Sequence, residues 1–115
     1  MSERLEMITR DNWEEFLSAP AAVLMLGKTD CANCTRWTEE LQGLLANEQW
    51  WPTVRFGKML IDTPGLLKFK KANPWLSEVD DLPFNVLYKD GERVKSYAGG
   101  GGDRLDNRLK RVLDA

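Results

Sequence analysis

GKTDCANCTRWTEEL, residues 27–41, contains both cysteines of the chain, Cys31 and Cys34, separated by two residues. Cys31, Cys34, Trp37, Leu41, Leu44 and Leu45 follow one another at three- and four-residue steps, the period of a helix with one apolar stripe. The spacing predicts a helix to about Asn47, with both cysteines in its first turn on the core-facing side. Just before it, AAVLMLG (21–27) is apolar at odd and even positions alike, the pattern of a strand covered by helices on both faces of a largely parallel sheet. A central strand that runs into a cysteine-bearing helix leaves three readings of the pair: a redox couple, half of a metal clip, or two small buried hydrophobes.

Composition narrows these readings. A chain of 115 residues with 43% apolar content buries one core, so residues 1–115 are expected to form a single domain. Sixteen basic against eighteen acidic residues give a formal charge of -2 without a basic block, which argues against nucleic acid or an anionic membrane as partner. MSERLEMITRD is charged from its start and has no apolar export core, and the longest apolar run, Ala19 to Leu26, is too short to span a bilayer. A soluble, cytoplasmic protein is expected. In a reducing cytosol a close cysteine pair points to transient redox chemistry or metal binding rather than to scaffolding. Structural zinc takes four ligands, and two cysteines with no histidine supply them only in a dimer or with borrowed carboxylates.

Working outward, LEMI (5–8) reads as a short strand, followed by a helix capped by Thr9 or Asp11 and stopped by Pro20. VRFGKMLID (54–62) alternates as a strand. PGLLKFKKA (64–72) opens with proline, where a helix accepts it best. LPFNVLYKDGERVKSYA (82–98) divides into two strands at Asp90-Gly91, a tight-turn dipeptide. Leu105, Leu109, Val112 and Leu113 mark a last helix. The order β-α-β-α-β-α-β-β-α predicts an α/β fold, a mixed central sheet with helices on both faces.

That order, CANC at a strand-to-helix junction, LPFNVLYKDGERVKSYAGG (82–100) and KMLID (58–62) resemble thioredoxin, from about Thr9 to Leu113. The resemblance implies a thioredoxin-like fold and a thiol-disulfide oxidoreductase acting on protein disulfides. It also implies a separate thioredoxin-reductase-type electron donor and no cofactor, and a monomer is expected. It makes Leu82-Pro83 a cis peptide facing the cysteines, with its backbone orienting an extended substrate, and places Gly99 at the border of the substrate groove. Asp30, Ala32 and Asn33 flank the cysteines on the substrate side. A free thiol with a pKa near ~8.5 is only slightly ionised at neutral pH. The positive end of a helix starting at Cys31 favours its thiolate, making Cys31 the attacking thiol. Cys34, one turn deeper, is then the resolving thiol.

Several positions depart from the thioredoxin pattern. Asp30 replaces a tryptophan and sets a negative charge beside the attacking thiol. Ala32-Asn33 replaces Gly-Pro, and Glu39 replaces a helix-kinking proline. Met25 replaces the buried acid, while the lysine that accompanies it is kept as Lys58, a candidate proton-transfer or electrostatic group. NPWLSEVDD (73–81) lengthens the chain near the groove and offers Trp75 as a surface candidate. Trp50 and Trp51 read as a lid on the core, and Gly99 to Gly102 as a flexible lead-in to the last helix. The rival function class is a non-catalytic binding module that keeps the fold.

Overall fold

The computed structural model describes residues 3–113. Along the chain run β1 (Leu5–Met7), α1 (Trp13–Leu17), β2 (Ala21–Gly27), α2 (Ala32–Leu45), β3 (Arg55–Leu60), α3 (Leu67–Ala72), a 3-10 turn (Pro74–Glu78), β4 (Phe84–Lys89), β5 (Glu92–Ala98) and α4 (Gly102–Leu113). The strands form one mixed sheet in the order β1-β3-β2-β4-β5. β3 lies parallel to both β1 and β2, β4 is antiparallel to β2, and β5 returns as its hairpin partner. This is the predicted element order, with β2 at the centre.

All seven residues of β2 are buried, and their alternation divides them between two cores. Ala21, Val23 and Met25 face Trp37, Leu41 and Leu45 of α2 and Leu105 and Leu109 of α4. Ala22, Leu24 and Leu26 face Trp13, Phe16 and Leu17 of α1 and Phe69 of α3. Successive strand side chains point to opposite faces, so a strand apolar at every position requires helices on both. The two tryptophans after α2 close the first core: Trp50 stacks on Phe56 at 5.5 Å, and Trp51 donates its indole N–H to Asp106 at 2.8 Å. Arg4 holds this corner by donating to the carbonyls of Trp50 at 2.9 Å and Trp51 at 2.7 Å. On β3, Arg55 bridges Glu6 of β1 and Glu15 of α1, and the carboxylates hold the guanidinium above its ordinary pKa.

Two local expectations are corrected. α3 begins at Leu67 rather than at Pro64, because Gly65 adopts a left-handed φ of 90° that ends any helical path from the proline. Proline takes the first helical position instead at Pro74, in the 3-10 turn. The N-cap of α1 is Asn12 rather than Thr9 or Asp11. Its side chain folds back, accepting from the Thr9 N–H at 2.7 Å and donating to the Met7 carbonyl at 3.0 Å.

The close approach of α1 to the sheet rests on Gly57 of β3, where a Cβ would meet Ile8 Cγ1 at 2.6 Å and the Phe16 ring at 2.7 Å. Gly57→Ala is therefore expected to destabilise the fold by about 1–3 kcal/mol through overpacking. Urea denaturation checks this, and an unchanged midpoint would show that α1 can move aside.

Candidate active site

Cys31 is the N-cap of α2 and carries extended backbone angles, φ -115° and ψ 104°. It is half-buried, whereas Cys34 is only 2% exposed. The pair therefore spans the helix boundary rather than lying wholly on the core-facing stripe. The two residues form a disulfide with Cα atoms 5.2 Å apart, and the Cys34 N–H points at Cys31 Sγ, 3.2 Å away. That amide is one of the unpaired donors at a helix start, and with the helix dipole it favours negative charge on Cys31. No acidic residue occupies the first turn of α2 to oppose it. Asp30, which precedes the turn, is exposed and held in the left-handed region with φ 55°.

The loop between β2 and α2 is fixed from the next strand end. Asp62, just beyond β3, accepts hydrogen bonds from the Thr29 hydroxyl and from the Thr29 N–H at 3.1 Å. These bonds, the hydroxyl foremost, hold the Asp62 carboxyl below its ordinary pKa. Gly27 ends β2 against the buried thiol: a Cβ there would lie 3.4 Å from Cys34 Sγ and 3.6 Å from Met25 Sδ. Met25 is fully buried and pairs in register with Lys58, which is half-buried. None of the ion pairs among the described residues includes Lys58.

Beside the cysteines runs a groove of about 550 Å³. One wall is α2, through Asn33, Arg36, Trp37 and Glu40. The facing walls are Asp81, Leu82 and Pro83 on one strand end and Ala98 to Gly101 on the other. The Leu82–Pro83 peptide is cis, and the Gly99 N–H donates to the Pro83 carbonyl at 2.8 Å. The geometry thus gathers Asn33, Leu82, Pro83 and Gly99 at one groove. Cys31, Ala32 and Asp30 sit at the start of the helix that walls it, while Lys58 lies on β3 outside its lining. Neither this groove nor a larger concavity of about 660 Å³ beside Thr38, Gln42 and Ala46 has a cysteine in its lining, but the groove includes Asn33, which stands between the two cysteines.

Other groove contacts carried no local signal in the sequence. Glu40 accepts from the Gly102 N–H at 2.6 Å, and Arg104 donates to the carbonyls of Ala98 at 3.2 Å and Gly100 at 3.3 Å. Asn85 is the one buried polar residue among those described, 0% exposed. Its signal was legible as a single polar letter inside the apolar run FNVLY. Trp75 is half-buried, tilted against Phe84 at 6.3 Å and covered by the Arg93 guanidinium at 4.5 Å. Among the described residues, no three metal-ligating side chains come together, and no helix is long and apolar enough to cross a membrane.

The order and packing of these strands and helices recur in solved structures. Thioredoxin NaTrxh from Nicotiana alata superposes with a TM-score of 0.75 at 20% identity, over 96% of this chain and 94% of that one. The chain has the thioredoxin fold. The oxidised thioredoxin O2 from Arabidopsis thaliana gives 0.74 at 18% identity over 97% and 96% of the two chains. Oxidised mitochondrial thioredoxin 3 from Saccharomyces cerevisiae gives 0.71 at 23% over 94% and 95%. No family model and no curated protein matches the sequence. At such low identities the thioredoxin fold is carried by element order and core pattern, and the site has to be argued from its own residues.

The Thr29 to Asp62 tether has a definite pH dependence. A carboxyl whose folded pKa is depressed contributes stability above its unfolded pKa and loses it as pH falls through the folded value. The Thr29 amide resonance should therefore titrate with a midpoint below the ordinary aspartate range, and in Asp62→Asn the acid transition should vanish. A midpoint at the ordinary value would mean that the carboxylate does not hold the loop.

Proposed function

We propose that this protein is a thiol-disulfide oxidoreductase acting on protein disulfides. The observation that carries the reading is the Cys31–Cys34 disulfide at the α2 N-terminus, beside a groove walled by the cis Leu82–Pro83 peptide. In the reduced protein, the Cys31 thiolate attacks one sulfur of a substrate disulfide. A Cys31–substrate disulfide forms and the substrate's other sulfur leaves as a thiolate that takes up a proton. The Cys34 thiolate then attacks Cys31 Sγ, closes the disulfide and releases the second substrate thiol. Two electrons and two protons pass to the substrate, and an external dithiol, in this reading from a thioredoxin-reductase-type donor, restores the pair. Asn33, Leu82, Pro83 and Gly99 orient the substrate chain, with Asp30 and Ala32 at its approach. The protein is read as a single-domain cytoplasmic monomer that uses no cofactor and binds neither nucleic acid nor membrane.

The burial difference between the thiols supports their division of labour. Iodoacetamide should label Cys31 readily in the native reduced protein and Cys34 only on unfolding, because burial in apolar surroundings raises a thiol's pKa. With dithiothreitol as reductant, insulin reduction should be lost in Cys31→Ser, while Cys34→Ser should accumulate the mixed disulfide seen by mass spectrometry. Activity that survives Cys31→Ser would leave a non-catalytic binding module as the better reading.

The resolving step requires a proton to leave Cys34 inside the core, and Met25 offers no base. Lys58, in register with Met25, is the cationic group proposed to favour the Cys34 thiolate or to take its proton. Lys58→Met should slow release of the mixed disulfide and move the pH profile of that step upward. An unchanged profile in stopped-flow measurements would make Lys58 a bystander.

A further inference from the structure

Asn85 lies on β4 between Met25 of β2 and Tyr97 of β5, with its side chain sealed from solvent. Its Oδ1 accepts the Trp37 indole N–H at 2.8 Å, and its Nδ2 donates to the Gly99 carbonyl at 2.7 Å. Trp37 stands one turn beyond Cys34 on α2 and lines the groove, while Gly99 lies on its opposite wall. Gly99 in turn donates its N–H to the Pro83 carbonyl at 2.8 Å. A chain of hydrogen bonds therefore runs from the cysteine-bearing helix through Trp37, Asn85 and Gly99 to the cis-proline. The same loop is clamped from outside by Arg104 on the carbonyls of Ala98 and Gly100. A Cβ on Gly100 would stand 3.2 Å from Trp37, so the loop rests directly on the indole.

An aliphatic residue would fit this strand by propensity and burial, and every other residue on the same face of β2 and β4 within the core is apolar. A buried amide is tolerated where its partners are satisfied, and these two partners are the walls of the groove. We infer that Asn85 is a positioning residue that fixes the distance between α2 and the Gly99 loop and so sets the affinity of the groove for a protein disulfide. The inference rests on the oxidoreductase reading. Asn85 is absent from the groove lining and cannot touch a substrate, so any effect of its replacement is transmitted through Trp37 and Gly99. Intrinsic reactivity of the pair, set by the α2 terminus, stays as it is.

The test compares insulin, a protein disulfide that this reading seats in the groove, with the small disulfide DTNB, which in this reading needs only Cys31, both with dithiothreitol as reductant. Asn85→Leu removes both bonds at similar volume. KM for insulin is expected to rise about tenfold with little change in kcat, while the DTNB rate stays within about twofold of the parent. Asn85→Ser, whose hydroxyl cannot span both partners, carries the same expectation if the leucine variant does not fold. A folded variant in which both substrates are unaffected, or in which both rates fall in proportion, overturns the positioning role and leaves the oxidoreductase reading standing. A parent protein that reduces neither disulfide overturns both.

Discussion

Burial of β2 on both faces is the constraint on which the rest of the molecule depends. A strand with no polar residue in seven positions is stable only when two layers of helix exclude water from it, at roughly 25 cal/mol for each Å² of apolar surface removed. That requirement recruits α2 and α4 to one side and α1 and α3 to the other. It also decides where chemistry can occur. β2 emerges from the core at Gly27, and within four residues the chain turns and begins α2 at the cysteine pair. The strand end is rigid because both faces are packed, so the disulfide is held against a fixed base.

The helix start supplies what the sulfur chemistry needs without a charged side chain. Cys31, at the cap, is met by the Cys34 amide and the positive end of a 14-residue helix, while Cys34 is enclosed by Gly27, Met25 and the core behind them. The proposed division of labour between the two thiols rests on this difference in surroundings. Electrostatic support comes from the backbone, and burial separates the two roles. Asp30 stands exposed just before this cap.

The groove is built differently. Its walls come from α2, the start of β4 and the loop after β5, three segments separate in the chain, and hydrogen bonds between them add to the packing of the Gly100 loop on the Trp37 ring. A loop of four consecutive glycines would otherwise be the most mobile wall of the site. Carbonyl contacts from Arg104, an amide contact to Glu40 and the buried Asn85 restrict it. Trp75, in contrast, is engaged by Phe84 and Arg93 and forms part of the second core's cover.

Much of this was legible in the sequence because periodicity is a local property. The both-sided apolar run of β2, the stripe from Cys34 to Leu45, the Asp90-Gly91 hairpin and the element order follow from side-chain spacing and backbone preference, which neighbouring residues determine. The resemblance to thioredoxin placed Met25 beside Lys58, and the parallel register of β2 and β3 pairs the two. The sequence misread the start of α3, where Gly65 takes a left-handed conformation that the neighbouring proline did not reveal, and the cap of α1, where three polar residues competed for one position. What only the tertiary structure decided is which distant groups meet: Asp62 with Thr29, Glu40 with Gly102, and Asn85 with Trp37 and Gly99. These bonds span 14 to 62 residues of chain, and a polar side chain's partner across such a distance is set by the packing of whole layers, which no local pattern encodes.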